Sequence, residues 1–121
     1  MNAVKKEKRE FLRTKVKRLT SIVKHEGVYK LIEEGEISTP TLINVNDIST
    51  GGLRIFSEYN LMKGTFIGLT IPSIETLDSA IVKCEVTRSL TDDNLTYDIG
   101  LRFRPPNTYY LKQLVELLKT D

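Results

Sequence analysis

Ile81-Val82-Lys83-Cys84-Glu85-Val86-Thr87-Arg88-Ser89-Leu90 is the stretch from which the fold is read most directly. Val82, Cys84 and Val86 fall on one face of an extended chain, while Lys83, Glu85 and Thr87 fall on the other, which is the period of a half-buried strand. The polar run Thr91-Asp92-Asp93-Asn94 reads as a hairpin connection. It leads into residues 95–103, where Tyr97, Ile99, Leu101 and Phe103 share a face. Cys84 sits among apolar neighbours on the inward face and is expected in the core.

Downstream, Pro105-Pro106-Asn107-Thr108 stops the sheet and supplies a helix N-cap. Leu111, Leu114, Val115 and Leu118 then recur at i, i+3, i+4 and i+7, which predicts an amphipathic helix from Asn107 or Thr108 to about Lys119 that packs on the sheet. Upstream, residues 65–71 read as a strand ended by Pro72, residues 53–56 and 39–48 as two more, and residues 28–32 as a short one between Gly-containing connections. Residues 13–23 fit a strand whose alternation slips once, as at a bulge. Helical spacing is also present there, but Thr14, Val16, Thr20, Ile22 and Val23 are β-branched and favour strand. Antiparallel strands, short polar connections and one terminal helix predict a small, mainly all-β barrel or sandwich.

The 121 residues suit one domain with one modest core. No apolar run approaches the ~20 residues that span a bilayer, so no membrane insertion is expected. The single cysteine forms no internal disulfide, and this suits a reducing compartment such as the cytoplasm. The net charge of +2 hides an asymmetry: residues 1–18 hold eight Lys/Arg against two Glu, and the remainder is net acidic. The lone histidine, His25, has no second His, Cys or carboxylate pair at metal spacing and is expected at the surface.

Two motifs carry the functional signal. Arg9-Glu10-Phe11-Leu12-Arg13 places two guanidiniums four positions apart in a basic, apolar-poor segment. Asn46-Asp47-Ile48-Ser49-Thr50-Gly51-Gly52 reads as a polar corner between strands, rich in residues that form turns for local reasons. Arg-x-x-x-Arg followed by Asp-x-Ser-x-x-Gly resembles the PilZ domain family, over roughly residues 5–118. The resemblance implies a six-stranded antiparallel PilZ-type β-barrel with a C-terminal α-helix over residues 14–121. It also implies a flexible basic N-terminal arm over residues 1–13. It further implies that arm and barrel motif together hold the bacterial second messenger cyclic di-GMP. By position, Arg9 and Arg13 match the arm and Asp47, Ser49 and Gly52 match the barrel motif, with Lys8 and Gly51 as possible additions.

The chemistry of those residue types suits that ligand. An arginine fork bonds phosphate oxygens or the O6/N7 edge of guanine, and its flat face stacks on a base. Asp47 supplies the acceptor for the guanine N1–H and N2 amino donors, Ser49 a small hydroxyl, and Gly52 room for close approach of ligand or backbone. Lys8 adds charge at a position that in this family influences whether one ligand or a stacked pair is bound.

The reading is therefore a cyclic di-GMP receptor that switches a protein contact by ordering its arm. It has no catalytic residues, no metal and no cofactor beyond the ligand. Its unidentified effector protein would belong to motility, pilus, secretion or exopolysaccharide machinery. The alternative is a PilZ-like adaptor that binds a pilus, flagellar or secretion protein without nucleotide. A nucleic-acid-binding barrel is disfavoured by the acidic body and the lack of evenly spaced surface aromatics.

Overall fold

The computed structural model describes residues 14–15, 19–25, 27–33, 42–91 and 95–118. In chain order these form β1 (Thr14–Lys15), β2 (Leu19–His25), β3 (Val28–Glu33), β4 (Leu42–Ile48), β5 (Gly52–Ser57), β6 (Phe66–Ile71), β7 (Ala80–Thr91), β8 (Tyr97–Phe103) and the helix α1 (Tyr109–Leu118). Strands β2 to β8 join edge to edge in the order β4-β2-β3-β6-β7-β8-β5, and β5 pairs back with β4, so the sheet closes into a barrel. The short β1 lies beside β2 on the same edge of β4, pairing with Ile48 and Asp47.

The barrel closes with seven strands where six were expected, and one of its pairings is parallel rather than antiparallel. These two corrections have one cause. Neighbours can alternate in direction all the way round a ring only when the strand number is even, so a ring of seven must contain a parallel pair. Here it is β3 with β6, joined at Tyr29↔Leu69 and Lys30↔Thr70. Of the strand expected over residues 13–23, residues 14–15 form β1 and 19–23 lie in β2, with a register shift between Leu19 and Ser21, while 13 and 16–18 lie outside the described residues.

Alternation decides which side chains fill the barrel. Along β7 and β8, Cys84, Val86, Ile99, Leu101 and Phe103 are buried, as the period of two requires. Facing them from β4, β5 and β6 are Ile43, Ile48, Leu53, Ile55, Leu69 and Ile71. Burial pushes the Cys84 thiol up to about 12, the behaviour of a core residue. The β2–β3 hairpin turns at Gly27, whose φ of 81° lies in the left-handed region that glycine adopts freely.

The helix α1 packs on the barrel core. Thr108 caps that helix, its Oγ1 accepting the Leu111 N–H at 3.1 Å. Leu111, Leu114 and Leu118 then turn inward, at the spacing read from the sequence. They join the barrel residues in one core with Leu61, Ile74 and Leu77. Burying a leucine contributes about 2 kcal/mol, so these three outweigh the weak helix propensity of a ten-residue segment.

Candidate functional site

The strand expected over residues 39–48 and the corner expected over 46–52 overlap, and the strand takes the overlap. Asp47 and Ile48 complete β4 and Gly52 begins β5, which leaves Ser49, Thr50 and Gly51 as the corner. Val45 pairs with Ile55 and Asp47 with Arg54, so Asn46 is the extra residue of a bulge immediately before Asp47. The bulge re-aims β4 where the motif begins. Asp47 is 9% exposed and Ser49 is 3% exposed, and Asn46 Nδ2 lies 3.5 Å from Asp47 Oδ2.

The corner is held by its own polar groups. Ser49 Oγ accepts the Gly51 N–H at 3.1 Å, and the Ser49 N–H donates to the Gly52 carbonyl at 2.8 Å. The Oγ contact uses one lone pair of the Ser49 hydroxyl. Neither Gly51 nor Gly52 uses a positive φ, since among the described glycines only Gly27 and Gly64 do. Gly52 is needed for closeness instead: a Cβ there would sit 2.0 Å from the Leu101 carbonyl oxygen on β8. The approach that requires this glycine is that of the neighbouring strand.

β1 runs past this corner. Lys15 pairs with Asp47 and Thr14 with Ile48, so the chain enters the barrel alongside the motif. Arg9, Arg13 and Lys8, together with the expected arm over residues 1–13, lie outside the described residues. The side chain of His25 does as well.

Sequence reasoning missed a charged cluster on the outer face next to Asp47. Arg54 stands directly opposite Asp47 in the β4–β5 register, and opposed residues share a face. Its guanidinium takes Asp98 side-on, Nε to Oδ1 at 3.0 Å and Nη2 to Oδ2 at 2.9 Å, and it lies 5.2 Å from the centre of the Phe56 ring. Arg88 Nη2 reaches the same carboxylate at 3.1 Å. These hydrogen bonds, Arg54's foremost, hold the Asp98 carboxyl below the usual carboxylate range. Arg54 is correspondingly raised by its bond to Asp98, with smaller support from the charges of Asp98 and Asp47. The available signal was that Arg54 alternates with buried Leu53 and Ile55. Arg88 carried no such signal, because a bulge between Val86 and Arg88 resets the face on which β7 side chains emerge.

Among the described residues, no group of three or more His, Cys, Asp or Glu is placed to hold a metal ion. No described helix is long and apolar enough to cross a membrane. A sequence model of the PilZ domain matches residues 7–120. Among solved structures, the chain resembles the PilZ domain with c-di-GMP of YcgR from Escherichia coli, with a TM-score of 0.56 and 13% identity, over 93% of this chain and 89% of that one. At that identity the likeness concerns the fold. No curated protein matches the chain.

Proposed function

The chain belongs to the PilZ domain family, and from that premise we propose that it is a cytoplasmic cyclic di-GMP receptor acting by binding, without turnover. The ligand is held between the arm and the corner after β4. Arg9 and Arg13 supply forks and stacking planes for phosphate and guanine, Asp47 the acceptor for guanine N1–H and N2, and Ser49 a hydroxyl. Lys8 contributes charge, and Gly51 and Gly52 shape the backbone beneath.

The observation that carries this reading is the β1–β4 register. Thr14 stands opposite Ile48 and Lys15 opposite Asp47, so β1 lies against the strand that carries the motif. Arg13 directly precedes Thr14 in the chain, which supports a role for it beside the motif. The structural relative in complex with c-di-GMP supports the choice of ligand.

In this proposal residues 1–13 carry too little apolar surface to offset the entropy of fixing them until the ligand's phosphates and bases do so. The ordered arm then presents a changed surface to an effector protein of motility, pilus, secretion or exopolysaccharide machinery.

Titration of the purified protein with cyclic di-GMP, with GMP and single-stranded RNA as controls, tests the reading. Saturable binding to cyclic di-GMP alone is expected. Asp47→Ala should weaken it by roughly 1.5–3 kcal/mol, the scale of a charge-assisted bond, with little change in stability. Arg9→Ala and Arg13→Ala should each weaken binding without affecting the unliganded barrel. Amide exchange across residues 5–14 should slow on saturation. A wild-type protein that fails to bind would leave the nucleotide-free adaptor as the reading.

A further inference from the structure

Resting on that receptor reading, the geometry points to Arg54 as a further specificity-determining residue of the nucleotide site, reading the O6/N7 edge of a guanine whose N1–H and N2 amino group face Asp47. The donors of Arg54 are the first element. Pairing side-on through Nε and Nη2 engages one edge of the guanidinium. The other edge, formed by Nη1 and the second hydrogen of Nη2, makes no bond among the described residues. That edge is the fork that matches adjacent O6 and N7 acceptors.

Position is the second element. Asp47, Arg54, Gly100 and Arg88 form one row across β4, β5, β8 and β7, because Asp47 pairs with Arg54, Arg54 with Gly100, and Gly100 with Arg88. The Arg54 side chain starts on β5, directly opposite Asp47, and its guanidinium reaches Asp98 on β8, the strand ~4.8 Å further on. A guanine laid along this row would meet Asp47 on one edge and the Arg54 fork on the other. An acceptor on one side and a donor fork on the other match guanine and mismatch adenine, which presents an amino donor where guanine has O6.

Preorganisation is the third. Arg54 is fixed by Asp98 and by the Phe56 ring, and its side chain keeps 31% exposure. Asp98 is fixed in turn by Arg88. Gly100 between them lacks a side chain, and a Cβ there would come 3.2 Å from Thr87 Oγ1 and 3.9 Å from Arg88 Nε. Arg54 therefore offers its free edge without first losing rotamer freedom.

The test compares wild type, Arg54→Lys, Arg54→Gln and Asp98→Asn in competition titrations with cyclic di-GMP and cyclic di-AMP, alongside thermal unfolding. Arg54→Lys keeps the charge and loses the fork. It should bind cyclic di-GMP about tenfold or more weakly, change little toward cyclic di-AMP, and so narrow the preference between them. Arg54→Gln should do the same. Asp98→Asn leaves Arg54 in place but unpinned, and it should shift both readings in the same direction by a smaller factor, which keeps the test intact if the Arg54 variants unfold. Unchanged affinity and preference in a folded variant would overturn the assignment. Equal weakening toward both dinucleotides would also overturn it, since charge alone would then explain the effect. Failure of the wild type to bind cyclic di-GMP would defeat the receptor reading itself, an outcome separable from the other two.

Discussion

Thr50 and Asn107 are bound to each other twice. The Thr50 hydroxyl donates to Asn107 Oδ1 at 2.7 Å, and the Asn107 N–H donates to the Thr50 carbonyl at 3.0 Å. The corner of the Asp-x-Ser-x-x-Gly motif is thus fastened to the residue that leads into the capped start of α1. Asn107 has a φ of 60°, a left-handed conformation that Asn tolerates and β-branched residues resist.

Thr50→Val should therefore cost about 0.5–1.5 kcal/mol, the net value of one hydrogen bond. Asn107→Gly should cost a similar amount, because it keeps the backbone and loses the acceptor. Asn107→Val should cost more than either, since it adds backbone strain. Urea unfolding measures all three, and a Val variant no less stable than the Gly variant would contradict the account.

Gly52→Ala should destabilise the barrel by roughly 3 kcal/mol, at the upper end of overpacking, because the added methyl meets a backbone carbonyl that cannot swing aside. Lost ligand binding in that variant would report on the β5–β8 pair rather than on contact with nucleotide. An alanine variant that melts like wild type would refute this placement.

Ser49→Ala removes the acceptor for the buried Gly51 N–H. Stability should fall by about 1–3 kcal/mol, the penalty for an unsatisfied buried donor. Ser49→Thr, which keeps the hydroxyl, should lose less. Denaturant midpoints compared at constant m-value would check the ranking.

Asp98 predicts an acid response whose sign is fixed. Its carboxyl is held below the unfolded value by Arg54 and Arg88, so its contribution is present above the unfolded pKa of about 4. It disappears as pH falls through the lower folded value. Stability against pH should decline below about pH 4 in wild type and more shallowly in Asp98→Asn. Parallel curves for the two proteins would show that the pairing contributes nothing measurable.

Cys84 is fully buried with its thiol pushed up to about 12. At pH 8 a thiol-specific reagent should react at the rate of barrel opening, accelerating steeply through the unfolding transition. Rapid labelling of the folded protein would contradict the packing described.

What was legible in the sequence was local. The alternation through Val82, Cys84 and Val86, the inward face of Ile99, Leu101 and Phe103, the Thr108 cap and the leucine stripe of α1 each follow from a period or a capping preference. The strand number and the parallel β3–β6 pair were not legible, because they are set by contacts between segments far apart in the chain. Asp47 and Ser49 were recognisable as a motif, whereas the Arg54, Asp98 and Arg88 cluster depends on cross-strand register and on two bulges that no single segment encodes. Gly52 was singled out for close approach, and the strand that approaches it could be named only once β8 was in place.

The closure of β4 onto β5 has a consequence for how a partner could engage the barrel. In an open sheet, an edge strand can capture an extended peptide from a partner through main-chain hydrogen bonds. Within the ring of seven, each strand pairs on both sides along part of its length, so among the described residues no barrel strand has a wholly open edge. Side chains on the outer faces of the strands and on α1 are then the larger part of what the described barrel presents to a partner. A swapped surface residue can therefore redirect such a partnership while the barrel that carries it stays the same.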